Sequence, residues 1–222
     1  MIKIDKIVYS NRHSIQIQIT SVGELVIRAP KKASESAIMR FVMQKQSWIE
    51  LHQQNIKAKN QLNAEIIAQN SILFFGKSYK ITKSNIKTIS FDDNTKCCLI
   101  PLQINDVSVY IKKIYKKMAI KYLHSRVEHF INIMHNKPDK LRLTNAQTCW
   151  GSCNSNKVVS LNWRLLMVAP DEIDYVVVHE LSHLTQMNHS KLFWAIVAQY
   201  IQNYKYIKTK LKKHDYLLNL YR

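Results

Sequence analysis

Val178-His179-Glu180-Leu181-Ser182-His183, with His189 six residues beyond His183, is the stretch on which the reading of this chain turns. Two histidines four residues apart lie on one face of a helix, about one turn apart, so their imidazoles can converge on a single ion. Glu180, one residue past the first histidine, can reach a water on that ion without entering its coordination sphere. Two ligands and a base within five residues is the zinc-peptidase arrangement. The pattern is short, so the flanking sequence has to agree with it. Pro170-Asp171-Glu172 reads as a helix start, with Asp171 a candidate cap and acidic side chains in the first turn. Ile173, Val176, Val177, Leu181 and Leu184 follow at helical spacing and predict one buried side. Glu172 and Asp174 are candidate partners for a ligand histidine, although the helix N-terminus accounts for them more simply.

A catalytic zinc keeps three protein ligands and one open position. After His183 the chain has no Glu, and its only acidic residue is Asp215. His189 is therefore the favoured third ligand, with His214 and Asp215 as the alternatives. Its spacing from His183 equals that of the metzincins, in which a glycine turns the chain back toward the metal. Gln186 occupies that glycine position here, and Asn188 is the residue able to supply a left-handed turn.

Further motifs surround this core. Cys149-Trp150-Gly151-Ser152-Cys153, Ser160-Leu161-Asn162-Trp163-Arg164-Leu165, the run from Ile173 to His183, Asn188-His189-Ser190 and Phe193-Trp194 together resemble the YgjP-like metallopeptidases. These are bacterial zinc proteases related to the SprT-like and WLM groups. The resemblance is dense from about Thr148 to Tyr200 and thinner over the first 110 residues, where Trp48-Ile49 and Phe75-Gly76-Lys77-Ser78-Tyr79 carry it. It implies a zincin-like fold, one Zn2+ ion on His179, His183 and His189, and Glu180 as catalytic base. One departure is visible: Cys149 stands where family members usually carry a basic residue before the Trp-Gly-Ser.

The expected fold class is α+β, a β-rich N-terminal lobe with one long helix over residues 1–110, then a zincin-like catalytic domain with the HExxH helix over 111–222. Ser14 to Thr20 alternates strictly, Val22-Gly23-Glu24 can turn, and Leu25 to Arg28 returns, which predicts a hairpin ended by Pro30. A helix is expected from about Ser34 to Gln54, and the polar run Asn55 to Gln69 reads as a loop or as its continuation. Strands are expected at 72–75, 79–82, 87–91 and 97–100, joining the opening hairpin in one lobe. A helix from Ile111 to about His135 should precede strands at 141–144 and 158–163, the metal helix, and a helix from about Lys191 to Ile201. Zincins hold the substrate backbone as an added strand on a sheet edge; Val158 to Trp163 is the candidate edge, with an interior strand that makes no substrate contact as the equal alternative.

Composition limits what else the chain can be. Its 222 residues suffice for one large domain or two small ones. No stretch approaches the roughly 20 apolar residues that span a bilayer, and the N-terminus lacks an apolar signal core. Four cysteines, two of them the adjacent Cys97-Cys98, fit a reducing cytoplasm better than a disulfide framework. Cys149 and Cys153 have no second pair to complete a separate zinc site. A net charge of +18 allows nucleic acid as a partner through a basic surface, or reflects a composition rich in Lys, Ile and Asn.

The expected activity is hydrolysis of a peptide or protein substrate through a metal-activated water, with Glu180 as general base. A second donor for the oxyanion would come from Asn162, Arg164, Tyr204 or Tyr206. The alternatives are a nucleic-acid-associated binding module with a retained zinc site, or a zinc hydrolase acting on a non-peptide amide. A structural zinc is closed by four protein ligands and leaves Glu180 without a use.

Overall fold

The computed structural model describes residues 2–221, which divide into two compact units at Ala64/Glu65. In the first unit, β1 (Lys6–Ser10), β2 (Gln16–Ile19) and β3 (Leu25–Pro30) form a sheet of order β1-β3-β2. β2 and β3 are the antiparallel hairpin expected around Gly23, whose φ of +96° suits glycine, and β1 adds in parallel to β3. Leu25, Ile27 and Ala29 alternate toward one face and pack on Ile38, Val42 and Ile49. The single expected helix is two: α1 (Glu35–Gln44), whose Ser34 cap accepts the Ala37 N–H, and α2 (Gln46–Ala68), broken apart at Lys45. The polar run after Gln54 is helical.

The second unit begins with β4 (Ser71–Phe74), β5 (Lys77–Ser84), β6 (Ser90–Asp92) and β7 (Cys97–Pro101), in the order β4-β5-β7-β6. These strands do not join the opening hairpin. Ile72, Tyr79, Ile81, Cys98 and Ile100 are buried in the same core as the metal helix, so the observed division falls near residue 64 rather than 110. Burial decides this, because the apolar faces of β4, β5 and β7 are covered by the long helix α3 (Val107–Met134) and by the helical turn Trp163–Met167. Asp106 caps α3, and His135 ends it in a left-handed conformation.

β8 (Lys140–Thr144), β9 (Gly151–Cys153) and β10 (Val158–Asn162) form a third sheet of order β8-β10-β9. β10 is therefore the central strand, which overturns its reading as the open edge; the edges are β8 and the short β9. Next come α4 (Pro170–Ser182), α5 (Lys191–Tyr200) and α6 (Tyr204–Lys213). The turn after β4 buttresses the start of α4: the N–H groups of Phe75 and Gly76 donate to the carbonyls of Leu166 and Met167. Gly76 has φ +77°, and a Cβ there would lie 3.0 Å from the Ala169 Cβ. Both requirements select glycine.

Candidate active site

Helix α4 starts by a route other than an Asp171 cap. Ala169 occupies the cap position, Pro170 follows, and the Glu172 carboxylate accepts the Ala169 N–H at 3.1 Å. Glu172 is fully buried; its other oxygen meets His214 Nδ1 at 2.8 Å, and Lys210 lies 3.3 Å away. Burial alone would raise the Glu172 pKa, but the hydrogen bond and charge of His214, the Ala169 N–H and Lys210 outweigh it and hold the carboxyl below its ordinary value. Asp174 forms a two-pronged bond with Arg126 at 2.7 and 2.8 Å, tying α3 to α4. Neither acid holds a ligand histidine. Asp215 accepts from Trp150 Nε1 at 3.0 Å. His214 and Asp215, the alternative third ligands, are thus committed to Glu172 and Trp150.

His179 lies in the last turns of α4 and His183 closes it; His189 comes from the following loop, one residue before Ser190 caps α5. Their ligand atoms all lie within 4.8 Å of one another, and they are the one such cluster among the described residues. His179 Nε2 faces His189 Nε2 at 3.1 Å. Zinc–nitrogen bonds of about 2.0–2.1 Å at tetrahedral angles would set two nitrogens about 3.3–3.4 Å apart. His183 Nδ1 lies 3.1 Å from the Gln186 carbonyl, so that nitrogen carries the proton and Nε2 keeps its lone pair. Burial, then the neighbouring His183, His189 and Lys208, push His179 down to about 3, and burial also lowers His183. Both rings are therefore neutral donors at physiological pH. His179 Nδ1 is buried without a hydrogen-bond partner among the described residues.

The loop that returns His189 uses no left-handed residue: neither Gln186 nor Asn188 has a positive φ. Instead α4 tightens, with Leu184, Thr185 and Gln186 N–H groups donating to Leu181 and Ser182 carbonyls. The Asn188 side chain then accepts from Gln186 Nε2 at 2.8 Å and from the Ser190 N–H at 3.2 Å. Asn136, just past α3, donates to the Leu181 carbonyl and to Thr185. Asn188 thus acts through its side chain rather than through its backbone. Phe193 packs against all three histidines, and Trp194 stacks on His189 with ring centres 5.6 Å apart.

Glu180 is 6% exposed and faces β9. A Cβ on Gly151 would lie 2.7 Å from both Cγ and Oε1 of Glu180, closer than atoms pack, so only glycine leaves room for this carboxylate. Burial raises its pKa to about 8 with no metal present. A bound dication would stabilise the carboxylate and reverse that shift. The oxyanion candidates separate. Buried Asn162 donates to the Ala146 and Cys149 carbonyls, and buried Arg164 donates to Leu220, Tyr221 and Asn145, so both hold the fold together. Tyr204 and Tyr206 stay available on α6. Gly151 reads from the sequence as a point of close approach behind the active helix, and the atoms that approach it are those of Glu180; sequence reasoning missed the roles of Asp215 and His214.

Residues 13–214 match the family model described as YgjP-like, metallopeptidase domain. A partial structural likeness links the chain to the crystal structure of the metallopeptidase zymogen of Pyrococcus abyssi abylysin. It has 20% identity and a TM-score of 0.39, over 41% of this chain and 93% of that one. No curated protein matches the chain.

Proposed function

The chain belongs to the YgjP-like metallopeptidase family, and on that premise we propose a zinc peptidase in which His179, His183 and His189 hold one ion and Glu180 is the general base. The observation that carries the reading is the convergence of three imidazoles beside a buried carboxylate that β9 leaves room for. The donor set fits: neutral imidazole suits zinc, and three ligands leave a position open. When bound, zinc would act as a Lewis acid toward the scissile carbonyl and make water acidic enough to react near neutral pH.

The rest of the chemistry belongs to the chain. Glu180 takes a proton from the attacking water on its carboxylate and returns it to the leaving amine, and Gly151 gives that carboxylate its place. Phe193 and Trp194 pack on the histidines, of which His189 stays open to solvent. The substrate edge is assigned to β9. Hydrogen bonds from Asn162 N–H to the Trp150 carbonyl and from Asn154 N–H to the Val158 carbonyl set the pairing phase with β10. In that phase the backbone groups of Gly151 and Cys153 point away from β10, where an extended peptide can pair with them directly beside Glu180. Four free cysteines support a reducing compartment, and among the described residues no helix is long and apolar enough to cross a membrane.

Metal content and peptide hydrolysis of wild type, Glu180→Gln and His189→Ala test the assignment together. Wild type and Glu180→Gln should each hold about one zinc, with hydrolysis lost only in Glu180→Gln; His189→Ala should lose metal. Full activity in Glu180→Gln would remove the general base from the mechanism, and unchanged metal in His189→Ala would move the third ligand.

A further inference from the structure

A shallow, open depression lies along the outer face of α5 and the start of α6. Its wall is mostly apolar, with Trp194, Ala198, Tyr204 and Tyr206, and Lys191 and Lys205 stand at its margin. The depression adjoins the histidine cluster: Trp194 stacks on both His189 and Tyr204, and Lys191 follows His189 by two residues. Lys208 covers Trp194 with its ammonium 4.3 Å from the ring centre. From Leu184 to His214 the chain has no Asp or Glu. Among the described residues only Lys210 of this segment's lysines forms an ion pair, with Asp171 and Glu172. Lys191 and Lys205 at the margin, with Lys208 over Trp194, therefore leave an unpaired positive field around an apolar hollow beside the imidazoles.

We propose that this hollow is a substrate subsite, which receives a large apolar side chain of an acidic peptide segment while its flanking carboxylates meet the lysine rim. The proposal rests on the peptidase reading and names the substrate class for that site. An apolar floor matches a side chain, and the lysine margin matches carboxylates; a ligand with only one of these features would leave the other face unused. Placement against His189 puts the occupant within a few residues of the bond to be cleaved. A nucleic-acid strand, which would also suit lysines and exposed rings, is the competing occupant.

Two internally quenched peptides test it, one with a single phenylalanine among glutamates and the other with the same phenylalanine among glutamines. The zinc-loaded protein should cleave the glutamate peptide with a KM roughly five- to tenfold lower at low salt, the gap closing as salt screens the charges. Lys205→Glu should abolish that preference while leaving the glutamine peptide unaffected; Lys191→Gln/Lys205→Gln is a milder second variant. Equal cleavage of both peptides, or a preference that survives in both variants, overturns the subsite. Fluorescence anisotropy of the labelled glutamate peptide, in excess chelator, reads docking without hydrolysis. Lysine-dependent binding with no cleavage by any zinc-loaded sample would sink the peptidase reading and keep the subsite. Stronger lysine-dependent binding of a thymidine oligonucleotide than of the peptide would reassign the surface to nucleic acid.

Discussion

The Glu180 carboxylate occupies space that any side chain on Gly151 would take. Gly151→Ala should therefore push Glu180 aside, and a displacement of about 1 Å at a catalytic group lowers kcat about 10²-fold. Metal content should hold, because the histidines do not touch Gly151. The strain should also cost about 1–3 kcal/mol, as overpacking does. Urea unfolding separates this from a general loss of strand stability: the penalty of Gly151→Ala should vanish in a Glu180→Ala background, where the clashing atoms are gone. An equal penalty in both backgrounds would place the glycine's role elsewhere. His179, Glu180 and His183 were legible in the sequence because their relation is one helical turn. The Glu180 contact with Gly151 was not, since the two are 29 positions apart in the chain and spacing says nothing about which strand folds over a helix.

Helix α4 owes its position to its neighbours more than to its own capping sequence. Its first turn is fixed by Glu172, whose buried carboxylate gathers the Ala169 N–H, His214 and Lys210, and by Asp174 on Arg126. Because the Glu172 pKa is held below its unfolded value of about 4.3, the charged form is stabilised by folding. That stability is present above about pH 4.3 and disappears as pH falls through the lowered folded value. Glu172→Gln should lower stability at neutral pH and make the acid limb of a stability–pH curve shallower; an unchanged acid limb would remove Glu172 from it. At the same scale, β9 went unseen because three residues that open on a glycine are too short to carry an alternating pattern. β10 was taken for the edge because its strand signal is strong, yet strength of pattern favours the covered centre of a sheet.

Each of the two units has its own apolar core. Ile38→Ala should cost the first unit about 2–4 kcal/mol and raise amide exchange in β3 and α1, while exchange in α3 and α4 and the bound metal stay as in wild type. Loss of metal along with that exchange would mean that one cooperative fold spans the chain. The expected boundary near 110 followed the last strand of a β-rich region, but sequence cannot say which sheet a strand joins. By itself, the sequence determined the α+β class, most of the helices and strands, and the two histidines that share one face of α4 with Glu180 beside them. These are local matters of periodicity and helix geometry, written in neighbouring residues. The tertiary structure decided which strand has a free edge, which glycine makes room for Glu180, and which C-terminal residues brace α4 and Trp150. Such contacts join segments tens of residues apart, and they are chosen by shape and burial in the assembled core, which no local pattern records.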